Sequence, residues 1–149
     1  MTDIRFYHLE RQSVHQALPV LLNKAREKYD RIVVQVASKK AMKPLSDALW
    51  SYHPSSFLAH GLAGKEFEAE QPILITDDAA ANGNDATMCV LLDEAEREDL
   101  SAFDLVCVMF DGHNPESVSH ARQQWKALKD GESDLTYWQQ GDKGWEKKA

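Results

Sequence analysis

The stretch "RIVVQVAS", residues 31–38, decides how the rest of the chain is read. Ile32, Val33, Val34 and Val36 run almost without interruption instead of alternating with polar residues. A strand with water on one face alternates, whereas a strand covered on both faces of a parallel sheet does not. A parallel sheet in turn needs crossover helices to bring the chain back. One follows at once: Ser38 is a suitable N-cap, and "KKAMKPLSDALWSY" (39–52) places Met42, Leu45 and Leu49 on one inner stripe.

Working outward, "IRFYHL" (4–9) is a first strand, and "SVHQALPVLLNKAREKYD" (13–30) carries Val14, Leu18, Leu21, Leu22 and Ala25 at helical spacing. Pro19 inside that pattern predicts a kink or a late helix start. "SSFLAH" (55–60), "QPILIT" (71–76), "TMCVLL" (87–92) and "FDLVCVMF" (103–110) are further strands, with "DEAERED" (93–99) a solvated turn of helix between the last two. Asn114 as N-cap, Pro115 at the first helical position and Gly131 as a stop bracket a helix to about Lys129. "DLTYWQQ" (134–140) is a final strand with Leu135, Tyr137 and Gln139 on one face and Thr136, Trp138 and Gln140 on the other, so Tyr137 or Trp138 is expected to pack on the sheet. "GDKGWEKKA" (141–149) reads as a mobile tail, in which Trp145 is an unusual residue that folds back or meets a partner. Strands alternating with helices give an α/β class, an open and mostly parallel sheet flanked by helices, in a single domain over residues 1–149 with no repeat or linker.

Composition narrows the setting. The 149 residues are 43% hydrophobic and 28% charged, as in an ordinary globular protein. No signal-peptide pattern opens the chain and no run approaches the ~18 apolar residues of a membrane span, so no membrane association and a cytoplasmic location are expected. Cys89 and Cys107 sit inside apolar runs as small hydrophobes, with no disulfide or zinc pattern. A net charge of −7 argues against a broad nucleic-acid face. The acid is concentrated ahead of the last element: residues 117–149 hold 6 Lys and Arg against 5 Asp and Glu, out of 17 and 24 in the chain.

The motifs of nucleotide chemistry are missing. "GLAGKEFE" (61–68) offers a Gly-Lys pair, but Glu66 follows where a phosphate loop has Ser or Thr. No G-x-G-x-x-G follows the first strand and no G-x-S-x-G elbow occurs. The histidine pairs His53/His60 and His113/His120 fit no zinc pattern, so no metal and no cofactor are expected. "TDDAAANGNDA" (76–86) gathers Asp77, Asp78 and Asp85 beside a turn after a strand, which keeps a nucleotide-dependent α/β enzyme as the alternative. The absence of a catalytic set favours a binding module.

The last helix has the chemistry for binding. At about 100° per residue, Val118, Ala121, Trp125 and Leu128 form the packing stripe, while Arg122, Lys126 and Lys129 fringe one flank. Such a surface suits a ligand with apolar side chains and a carboxylate, because Arg grips a carboxylate through two parallel hydrogen bonds. The other reading makes Trp125 core and the cations solvated surface.

"FYHL" (6–9), "DALWSYHPSSFLAHGLAG" (47–64) and "ARQQWKALKDGESDLTYWQQGDKGWEKKA" (121–149) together resemble the chi subunit of bacterial DNA polymerase III holoenzyme, over nearly the whole chain. The resemblance implies a non-enzymatic α/β protein with a Rossmann-like sheet, attached to the clamp loader. It would dock the acidic C-terminal tail of single-stranded DNA-binding protein (SSB), link it to the psi subunit where one exists, and bind no DNA specifically itself. Arg122 falls on the arginine of the family's tail site and Trp125 on an aromatic position one turn later. Val118 stands where relatives have a lysine, for which Lys126 or Lys129 would compensate. Trp50, Phe57, His60 and Leu62 match an apolar surface assigned to psi or another protein, with Ala59 where a proline is usual.

Overall fold

The computed structural model describes residues 2–52, 58–131 and 133–149. Among them, β1 (Asp3–Leu9), α1 (Val14–Ala25), β2 (Ile32–Gln35), α2 (Met42–Trp50), β3 (Gly61–Leu62), β4 (Ile73–Thr76), β5 (Met88–Leu92), β6 (Leu105–Asp111), α3 (Pro115–Lys129), β7 (Asp134–Gly141) and β8 (Gly144–Lys147) follow in order. The strands make one open sheet in the order β3-β4-β2-β5-β6-β1-β7-β8. Every neighbouring pair is parallel except β7 with β8. β2 lies between β4 and β5 with all four residues buried, which is why its sequence does not alternate.

Alternate residues of each inner strand enter different cores. Ile32, Val34, Met88, Val90, Cys107 and Met109 face α1 and α2, where Leu18, Leu22, Leu45 and Leu49 meet them. Phe6, Val33, Cys89, Leu91, Val108 and Phe110 face α3, which buries Ala121 and packs Val118, Trp125 and Leu128 against them. The Cys89 and Cys107 thiols are free, and burial pushes each up to about 12, so they act as apolar filler.

Helix starts follow their local chemistry. Ser13 caps α1 in a reciprocal box, its hydroxyl accepting from the Gln16 N–H while the Gln16 amide oxygen accepts from the Ser13 N–H. The box fixes the start upstream of Pro19, which therefore lies buried within α1 instead of delaying it. Ser38 makes no side-chain cap; a 3-10 turn at Lys39–Ala41 intervenes and α2 begins at Met42. The Asn114 carboxamide accepts from the Glu116 and Ser117 N–H groups, and Pro115 opens α3.

Three other expectations are revised. Residues 93–99 form no helix: Asp93 is left-handed at φ 52 and its carboxylate accepts the Asp111 N–H. Arg97 then ties the segment down, donating to the Gln35 side chain and to the Ala81 carbonyl. Of "SSFLAH", residues 55–57 lie outside those described, residues 58–60 are not strand, and the short β3 begins only at Gly61. Residues 141–149 contain a strand where a tail was expected. Gly141 pairs with Gly144 across a two-residue loop, and Gly144 takes φ 108, a conformation that L side chains rarely adopt.

Candidate protein-binding site

α3 lays Trp125 across the sheet at the strand that carries Phe6. The Trp125 ring meets Phe6 edge-on at 5.4 Å and Tyr137 edge-on at 5.7 Å, while Phe6 and Tyr137 stack at 6.2 Å and 11°. β1 lies beside β7 with Phe6 opposite Tyr137, so both rings rise from the same face. Phe6 is fully buried, and Trp125 and Tyr137 are half-buried. The Trp125 and Tyr137 rings therefore pack on the core and keep an accessible part.

Arg122 sits one turn before Trp125 and is exposed. It lies close enough to Tyr137 to act electrostatically on the phenol; burial nonetheless pushes the Tyr137 hydroxyl above its ordinary value, so it stays protonated at neutral pH. Among the described residues, Arg122, Lys126 and Lys129 form no ion pair or hydrogen bond through their side chains. Lys126 and Lys129 stand exposed in the last turn of α3, where cations complement the helix dipole. Val118 is partly buried against the α3-side core and supplies apolar surface at this rim.

Behind Tyr137 is a polar chain that sequence reading missed. The Tyr137 hydroxyl lies 2.7 Å from His8 Nδ1, and His8 Nε2 lies 2.8 Å from Glu10 Oε1. Gln139 donates to the same Glu10 oxygen at 3.1 Å. Period-two alternation puts Tyr137 and Gln139 on one face, but only the order of strands brings His8 to them.

The second expected surface is at the β3 edge. Trp50, at the end of α2, is 50% exposed, and its ring lies 4.2 Å from that of His60. His60 is buried: Nδ1 donates to the Leu58 carbonyl at 2.7 Å, which leaves Nε2 to accept from the Ser46 hydroxyl at 2.8 Å. Leu62 packs partly buried on the α1 and α2 core, and Phe57 lies outside the described residues. His60 thus supports Trp50 from beneath.

Burial lowers the His60 pKa from its ordinary 6.5. The unfolded chain then takes up the proton more readily than the folded one, so this group costs stability as pH falls through about 6.5. We expect the melting temperature to fall between about pH 7 and 5, and the fall to be shallower in His60→Gln. Equal slopes in the two proteins would remove His60 as the source.

The carboxylates of the enzyme alternative do not converge. Asp77 and Asp78 are exposed just beyond the C-terminal end of β4, whereas Asp85 is exposed before the N-terminal end of β5. Since β4 and β5 run parallel through β2, these are opposite ends of the sheet. The Asp78 carboxylate is occupied locally, accepting the Ala80 N–H at 2.9 Å.

Fold and site together define an open-sheet α/β protein that presents an aromatic cluster rimmed by cations with no ion pair among the described residues. The chain belongs to the family described as DNA polymerase III chi subunit, HolC, whose model matches residues 1–136. The sheet is similar to the C-terminal domain of S. cerevisiae Dbp5, solved bound to Gle1 and IP6, at a TM-score of 0.55 and 14% identity over 90% of each chain. It is likewise similar to a second structure of the C-terminal domain of the DEAD-box protein Dbp5, at 0.55 and 16% identity over 91% of this chain and 90% of that one. At such identities the likeness is one of fold. No curated protein matches the chain significantly.

Proposed function

We propose that this chi-family protein is a non-catalytic, cytoplasmic adaptor of the DNA polymerase III clamp loader that captures the acidic C-terminal tail of SSB on α3. The tail offers carboxylates and a terminal apolar side chain. Arg122 meets the terminal carboxylate, Val118, Trp125 and Tyr137 receive the apolar side chain, and Lys126 and Lys129 attract the acidic residues upstream. The observation that carries this reading is the exposed Arg122 guanidinium, unpaired among the described residues, beside a half-buried aromatic cluster. A carboxylate ligand supplies what that guanidinium lacks. The surface at Trp50 and Leu62, with Phe57 and with the buried His60 supporting Trp50, is assigned to the psi subunit or another clamp-loader protein. Titration of a labelled peptide copying the SSB tail tests the reading. Micromolar binding at low ionic strength is expected, as befits a transient contact, and absence of binding would defeat it.

A further inference from the structure

Trp145 and the outer flank of α1 take no part in the α3 site. Between them, on the other face of the sheet, is a cavity of about 550 Å³. Met88, Leu105, Cys107 and Met109 form its floor, each 7% exposed or less. Tyr7, Leu21, Val20 and Trp145 line its sides, with Val20 51% and Trp145 38% exposed. Both are large apolar side chains left in water at the mouth of an apolar cavity. Trp145 is held there edge-on against Tyr7 at 5.0 Å, and it lies beyond the family-matched residues 1–136.

The charged lining is selective. Arg5, Lys24 and Lys28 contribute three cations and Glu27 one carboxylate, on a chain whose net charge is −7. Arg5 is occupied by Asp3 at 2.9 Å, and Lys28 Nζ lies 5.6 Å from the centroid of the Tyr29 ring, but Lys24, in the last turn of α1, and Lys28, in the turn that follows it, form no ion pair among the described residues. A local positive field over an apolar floor attracts an anion that also has an apolar body. The volume falls within the range of small-ligand sites, which are mostly apolar with a few polar groups at defined places. A nucleic-acid strand instead needs a track of cations along its phosphates, and two lysines do not make one. The buried Cys107 thiol stays protonated at neutral pH, so the floor carries no charge to oppose an anion.

We propose that the cavity between α1 and the β1–β8 face binds a small organic anion, its apolar body between Val20 and Trp145 and its anionic group at Lys24 and Lys28. This site is separate from the α3 site, and the probe titrations of wild type and variants do not depend on tail binding. The probe is anilinonaphthalene sulfonate, an aromatic anion whose fluorescence rises in apolar surroundings. Saturable binding of one probe per chain is expected, and Trp145→Ala should weaken it about tenfold. Because Trp145→Ala could also loosen β8, the exposed double variant Lys24→Glu/Lys28→Glu provides a second arm and should weaken binding by at least about tenfold. A saturating SSB tail peptide should leave the probe in place. The proposal is overturned by absence of saturable binding, by equal binding to the lysine variant, or by displacement of the probe with the tail peptide.

Discussion

Arg122→Ala is expected to weaken binding of an SSB tail peptide by at least about tenfold and to flatten the dependence of binding on salt. The argument begins with the helix. Asn114 and Pro115 set the register of α3, which turns Trp125 onto the core and leaves Arg122 exposed at its edge. A hydrogen bond to a charged partner contributes about 1.5–3 kcal/mol, and each ~1.4 kcal/mol is a factor of ten in affinity. The remaining cations, Lys126 and Lys129, act at longer range and are screened beyond about 10 Å at ~0.1 M salt. Wild type should therefore lose affinity with salt more steeply than the variant. The check is an anisotropy titration of both proteins at several ionic strengths, with circular dichroism to establish that the variant is folded. Equal affinities would leave tail recognition standing but place it elsewhere on the surface.

Phe6→Ala should be the most damaging single change around this site, although Phe6 is inaccessible to any ligand. Its ring is fully buried and supports both Trp125 and Tyr137. Truncating a buried Phe costs about 3–5 kcal/mol in lost transfer energy and residual cavity, against a total stability of about 5–15 kcal/mol for a domain. Denaturant unfolding should show a much lower midpoint at similar slope, and the protein that remains folded should bind the tail peptide less tightly because Trp125 has lost its support. A loss of stability below about 1 kcal/mol would mean that the aromatic cluster repacks around the gap.

Much of this fold can be read from sequence because burial on both faces leaves a plain mark. β2 and β5 have no exposed residue, so their apolar runs are continuous and their identity as inner strands is legible. α3 was equally clear from its cap and its proline. The hairpin of β7 and β8 was not, because two glycines and three lysines in nine residues have the composition of a tail, and only the antiparallel pairing of Gly144–Lys147 with β7 makes a strand of them. The segment 93–99 misled for a related reason: its charges resemble a helix surface, but its path is set by Arg97 and Asp93 through contacts distant in sequence.

The site was half legible. Helical spacing assigns Trp125 to the packing stripe and Arg122 to its flank, and both assignments agree with the structure. Of the two readings of Trp125, as core and as binding surface, its half-buried position is compatible with both. What spacing could not supply is the opposite wall. Tyr137 and His8 are 129 residues apart and meet because β1 lies between β6 and β7, an order that local periodicity does not encode. Val118, which stands where relatives have a lysine, lies in the packing stripe that its helical spacing assigns and contributes apolar surface beside the cluster.

The central claim is that α3 recognises a chain terminus and not merely an acidic segment. Its most direct test is a parallel titration of wild-type protein with two SSB tail peptides that differ only at the C-terminus, one a free acid and the other an amide. Recognition through Arg122 predicts micromolar binding of the free acid at low salt and at least about tenfold weaker binding of the amide, since the amide removes the charge that a guanidinium grips. Equal binding of the two peptides, or no binding of either, would contradict the account.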